Sequence, residues 1–117
     1  MLPVGPAKRV VIHLNEDTVA RRDFLYIEVF DFLWQSGVAG ASLIRPEAGF
    51  GSHHHIHDAS IPGEREHMPV RIDFIEASEK VAALLPELAD LVNDGLIEVH
   101  DTTIYKSTRF PNTEAIR

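Results

Sequence analysis

The chain has no cysteine. That one absence excludes disulfides, iron–sulfur clusters and thiolate zinc sites together. No apolar run is long enough to span a bilayer, so the protein is not expected to be embedded in a membrane. No basic segment ahead of an apolar stretch marks a secretory signal, and the cytoplasm is the expected compartment. Cations are scarce: 11 Lys and Arg stand against 18 Asp and Glu, a formal net charge of -7. Long-range repulsion then opposes a hold on DNA or RNA, and no nucleic-acid partner is expected. A small anion is still compatible, because backbone amides and a few local arginines can outweigh the average field. Internal repeats and low-complexity tracts are missing as well. What is present is an ordinary globular composition, 44% hydrophobic and 25% charged over 117 residues. This suits one domain, with no room for separate catalytic and regulatory modules.

Periodicity divides the chain into an arm (1–7), a domain (8–106) and a tail (107–117). Arg9 to Leu14 alternates as a strand, with Val10, Ile12 and Leu14 on one face and Arg9, Val11 and His13 on the other. Asn15, Asp17 and Thr18 are N-cap candidates for a helix running to Ser36, in which Leu25, Val29 and Leu33 are spaced by four and Gly37 is the stop. Phe24, Ile27, Phe30 and Trp34 widen its apolar stripe beyond one face, which predicts contact with another subunit or the tail. Ala41 to Arg45 reads as a second strand and Val70 to Ile75 as a third. Ser78 is expected to cap a second helix through Val81, Leu84, Leu85, Leu88, Leu91 and Val92, with Gly95 as a left-handed cap. Pro86 conflicts with that helix and predicts a kink or a late start. Ile97 and Val99 open a fourth strand whose inward parity passes to Thr102 and Ile104, predicting a bulge near His100 and Asp101. The order strand, helix, strand, strand, helix, strand is the ferredoxin-like βαββαβ plan. It is an α+β fold with an antiparallel four-stranded sheet and two helices on one face. The other face would carry Val11, Ile44 and Ile75 among polar groups and reads as a subunit interface.

Residues 46–68 form a long excursion between two strands. Gly49-Phe50-Gly51 lets the backbone turn sharply and approach a ligand or neighbour closely, or simply starts the loop. His53, His54, His55 and His57 follow. In an extended segment His53, His55 and His57 point the same way and suit a divalent metal; a solvated polar loop is the alternative. Arg45 and Arg71 are the cations best placed to meet an anion at the sheet rim, with Arg65 in the loop. Their alternative is ion pairing with Glu47, Asp73 or Glu76. His13 reads as an interface residue, and His67 and His100 as surface groups.

Gly37-Val38-Ala39-Gly40-Ala41-Ser42, followed by Gly49-Phe50-Gly51, resembles the second strand and loop entry of PII-like signalling proteins. Leu14-Asn15-Glu16-Asp17 after the first strand, Leu25-Tyr26 opening the first helix, and the run from Ser78-Glu79-Lys80 through Leu84-Leu85-Pro86 to Asp94-Gly95-Leu96 resemble an uncharacterised branch of that superfamily, over residues 8–106. The resemblance implies a trimer of ferredoxin-like subunits whose 46–68 loop reports ligand state to a partner. It also implies an adenine nucleotide in the cleft between subunits, near Gly49, Phe50 and Gly51. In the PII pattern a second glycine- and lysine-bearing loop precedes the last strand. Here Asn93-Asp94-Gly95-Leu96 has no Gly-x-Gly-Lys, so the amide nest and lysine that suit a triphosphate are missing. The loop also lacks the tyrosine that PII proteins offer for nucleotidylation, since Tyr26 and Tyr105 both fall on scaffold elements.

Three readings follow. One is a trimeric signalling protein that senses an adenine nucleotide or other small anion through Gly49, Phe50, Gly51, Arg45 and Arg71 and docks on a protein such as a transporter. A second is a metal-responsive protein using the loop histidines, similar to divalent-cation tolerance proteins. The third, a small ferredoxin-fold enzyme, has the least behind it: Ser42, Ser52 and Ser60 stand in no nucleophile motif, and no catalytic residue is expected.

Overall fold

The computed structural model describes residues 2–50, 56–62 and 68–108. The elements are β1 (Gly5–Asn15), α1 (Leu25–Gln35), β2 (Ala41–Ile44), β3 (Ala48–Gly49), β4 (His57–Asp58), β5 (Pro69–Glu76), α2 (Ser78–Leu91) and β6 (Leu96–Ile104). The main sheet has the order β2-β5-β1-β6 and is antiparallel throughout. The β3 and β4 strands form a separate two-stranded ribbon within the 46–68 excursion.

Strand periodicity sets the core. Val10, Ile12 and Leu14 of β1 share a face with Val70, Ile72 and Phe74 of β5, and all six are buried against Leu25, Val29 and Leu33 of α1 and Val81 and Leu88 of α2. The spacing of four in α1 thus projects one row of side chains onto the sheet. Ile27, Phe30 and Trp34 remain exposed on the helix's other sides, Trp34 at 81%. Both helices cover the same face, as the ferredoxin-like plan requires.

Several local expectations are corrected. The β1 strand starts at Gly5, because Gly5, Pro6 and Ala7 pair with Ile104, Thr103 and Thr102 instead of forming a free arm. The α1 helix starts at Leu25, where the resemblance puts its opening, and not at the Asn15, Asp17 or Thr18 caps; Phe24 is its N-cap residue without a side-chain cap. Asn15 is spent as the last residue of β1, and the Thr18 carbonyl accepts from Leu25 N at 2.7 Å, closing the intervening residues into a loop. Glu28 reaches back to accept from the backbone N–H groups of Arg22 and Asp23 at 2.9 and 3.0 Å, which hold its carboxyl below the usual range. Ser78 does not cap α2, whose N-cap is Ala77. The helix begins at Ser78 and runs through Pro86, so proline does not delay its start. Gly95 is not a left-handed cap: the helix closes at Val92, whose N–H donates to Leu88 O at 3.0 Å, and positive φ among the described glycines belongs to Gly5 and Gly37. No bulge occurs in β6, since its register with β1 is unbroken from Leu96 to Ile104. Ile97 and Val99 lie on the helix face, and Thr102 and Ile104 lie on the other, so the parity change is a change of face.

The turn from α1 into β2 is clasped from below. Glu76, 4% exposed, accepts from Ala39 N and Ala77 N at 3.0 and 3.1 Å, while Lys80 Nζ donates to Gly37 O at 2.6 Å. A buried carboxylate is tolerated because backbone donors and the nearby ammonium meet it.

The uncovered face of the sheet is less apolar than its alternation suggests. Val11 is buried at 4%, yet charged side chains surround it, and Ile44 and Ile75 are exposed at 37% and 38%. Arg9 donates to Asp73 at 2.9 Å, and Arg71 Nε lies 3.3 Å from the other Asp73 oxygen.

Candidate ligand-binding cleft

Antiparallel register brings three strand ends together. Asn15, at the end of β1, is opposite Pro69 at the start of β5, and His13 is opposite Leu96 at the start of β6. Above these ends lies a cleft of about 600 Å³, lined by His13, Leu14, Asn15, Pro69, Leu96 and Glu98, with Asp94 and Gly95 from the α2–β6 turn and Phe50 from the excursion. Its floor depends on Gly95, where a Cβ would collide with His13 O and lie 2.8 Å from Leu14 Cδ2. The α2–β6 turn passes that close to β1 only because position 95 has no side chain. On the opposite wall Gly49 lies against Pro69, with 3.2 Å between a built Cβ and Cγ, and Phe50 follows at the mouth, 61% exposed. The two glycine-bearing segments, far apart in sequence, therefore meet across the end of β1.

The lining is acidic. Glu98 and Asp94 are its carboxylates, and no lysine or arginine lines the cleft among the described residues. Glu98 carries two imidazoles: His13 Nε2 lies 2.5 Å from one oxygen and His100 Nε2 lies 3.0 Å from the other. These contacts, His13 first, hold the Glu98 carboxyl below its ordinary value.

Of the residues singled out from sequence, Phe50 lines the cleft, and Gly49 packs beside Pro69. Gly51, His53 and His55 lie outside the described residues, and of His57 only the backbone is placed, in β4. Among the described residues no group of three His, Asp or Glu is set to hold a metal ion. Arg45 donates through Nε and a terminal nitrogen to the two Glu16 oxygens, both at 3.1 Å, and lies 5.7 Å over the Tyr26 ring. The Glu16 bonds raise its pKa further. Arg45 thus anchors the root of the excursion to the β1–α1 loop, through a partner other than the three acids considered. Arg71 is opposite His13 across the β1–β5 ladder and is paired with Asp73. His13, Asn15 and Glu98 were missed as cleft residues. They read as interface, cap and strand positions because nothing in a sequence states which strand ends are neighbours.

The DUF190 family profile, described as uncharacterized ACR, matches residues 7–104. The chain belongs to that family. Among solved structures, the DUF190 chain is similar to CPII, a nitrogen regulatory PII-like protein from Thiomonas intermedia K12 bound to ADP, AMP and bicarbonate. The TM-score is 0.67 and the identity 20%, with 91% of this chain and 94% of that one covered. A PII-like signaling protein of Thermus thermophilus matches at TM-score 0.64 and 15% identity, covering 89% of this chain and 94% of that one. A DUF3240 family protein from Shewanella baltica matches at 0.54 and 18%, covering 91% and 97%. At these identities the likeness is one of fold, and the DUF190 chain has the PII-like fold. No helix among its described residues is long and apolar enough to cross a membrane.

Proposed function

We propose that this chain is a PII-like regulatory subunit that binds an adenine nucleotide or another small anion in the cleft beside Phe50, without catalysing a reaction. In this reading three copies assemble through the uncovered sheet face, and the 46–68 excursion conveys occupancy of the cleft to a partner protein. One observation carries the proposal. Phe50, directly after β3, meets the α2–β6 turn across a cleft of about 600 Å³, in a fold shared with a protein bound to ADP, AMP and bicarbonate.

The volume suits a small organic ligand. A half-open phenyl ring at the mouth offers a stacking surface, worth about 1–3 kcal/mol per base in nucleic-acid binders. The two carboxylates, with no lysine or arginine among the described lining residues, argue for few phosphates, hence a mono- or diphosphate over a triphosphate. Calorimetric titration with ADP, AMP, ATP and bicarbonate tests this. ADP or AMP should bind more tightly than ATP, and Phe50→Ala should weaken binding by about tenfold, which is about 1.4 kcal/mol. Because Phe50 is exposed, the variant should keep its unfolding midpoint. No binding of any of the four ligands would overturn the proposal.

A further inference from the structure

The charge of the cleft raises a question that its shape does not answer. An anion entering it meets Glu98 and Asp94, and among the described residues the lining has a single group able to become cationic, His13. We infer that His13 is the proton-linked anion acceptor of this cleft, so that binding a phosphate-bearing ligand is accompanied by uptake of one proton on its imidazole. This deepens the proposed function and rests on the cleft being the ligand site.

The geometry fixes the roles. Glu98 accepts, so His13 Nε2, 2.5 Å away, is the donor. In the neutral ring Nδ1 is then a bare acceptor, which an anionic oxygen placed against it would meet unfavourably. Protonation turns Nδ1 into a second donor while Nε2–H stays on Glu98. The same step offsets the Glu98 charge facing the ligand.

Charged groups face His13 from three strands and a turn. On β6, Glu98 faces His13, and His100 shares that carboxylate at 3.0 Å. On β5, Arg71 is directly opposite His13 and opposes a second positive charge, but Asp73, 3.3 Å from Arg71, compensates it. On β1, Arg9 also donates to Asp73, at 2.9 Å. Asp94, on the α2–β6 turn, adds a negative group to the cleft wall. With both imidazoles neutral, Arg9, Arg71, Asp73 and Glu98 sum to zero among the described residues of this face, and Asp94 is a further carboxylate of the cleft, so these groups offer the incoming anion no net cation. A proton supplies it.

The test is titration calorimetry with ADP from pH 6 to pH 8, in pairs of buffers of different ionisation enthalpy, on wild type, His13→Gln, His100→Gln and Glu98→Gln. Titration of the ADP phosphate is common to all four proteins, so the difference between them is the readout. Wild type should take up more protons than His13→Gln, by up to one, losing up to about tenfold more affinity per pH unit as pH rises. His100→Gln should keep most of the wild-type slope. Glu98→Gln removes the repelling carboxylate and should bind ADP more tightly than wild type at pH 8, with a flatter profile. Equal proton uptake by wild type and His13→Gln, or unchanged or weaker binding by Glu98→Gln at pH 8, would overturn the inference while leaving the cleft as the ligand site. Failure of wild type to bind ADP at any pH would remove both.

Discussion

A single missing methyl group decides whether the cleft has a floor. At Gly95 a side chain would collide with the carbonyl of His13, and a backbone oxygen cannot swing aside as a flexible side chain can. Gly95→Ala should therefore cost about 1–3 kcal/mol, the range of overpacking against atoms that cannot give way. Urea unfolding measures it, and a loss below about 0.5 kcal/mol, the range of indifferent surface changes, would show that the turn gives way freely. The sequence marked Gly95 as special but for the wrong reason. A glycine after a helix suggests backbone freedom, whereas here the demand is close approach, and close approach depends on a neighbour 82 positions away. His13 and Glu98 were opaque for the same reason. Each is an ordinary polar residue on a strand until the β1–β6 register sets them side by side.

Helices and strands were legible wherever one face is buried. Leu25, Val29 and Leu33 are the core row of α1, and Val10, Ile12 and Leu14 that of β1, as their spacing predicts. Element ends were not legible, because capping residues compete and a few hydrogen bonds decide among them. Asn15 and Thr18 were better N-cap residues than Phe24, but β1 and the loop closure claimed both first. Pro86 shows local chemistry overruled by packing. The helix continues through it to Leu91, with Val81 and Leu88 buried on the sheet on either side. A proline in a helix interior costs about 3 kcal/mol against alanine, and its restriction of the unfolded chain returns about 0.4–1 kcal/mol. Taking these two magnitudes together, Pro86→Ala should stabilise the domain by about 2 kcal/mol in urea unfolding. No gain would mean that α2 already accommodates the ring without loss.

At the scale of the whole molecule the open question is the uncovered sheet face. Alternation placed Val11, Ile44 and Ile75 there, and the structure agrees, with Ile44 and Ile75 more than a third exposed in the single chain. The Arg9 to Asp73 ion pair and the His13 to Glu98 hydrogen bond around them make the face suited to a specific partner more than to general greasy adhesion. If it is the assembly surface, Ile44→Asp with Ile75→Asp should place uncompensated carboxylates in the contact and lower the solution mass from three chains to one. Light scattering reads that change. Far-ultraviolet circular dichroism should stay unchanged, because neither isoleucine belongs to the core under the helices. A wild type that runs as one chain would refute the assembly.

The amino-acid order alone determined the ferredoxin-like plan and its core rows, because periodicity is a local property that acts within a few residues. Only the tertiary structure decided that Phe50, Gly95, His13 and Glu98 share one cleft and that Arg45 is held by Glu16. Pairing of strand ends joins residues far apart along the chain, and the free energy that selects one register belongs to the assembled sheet and its buried face, so no single segment records it.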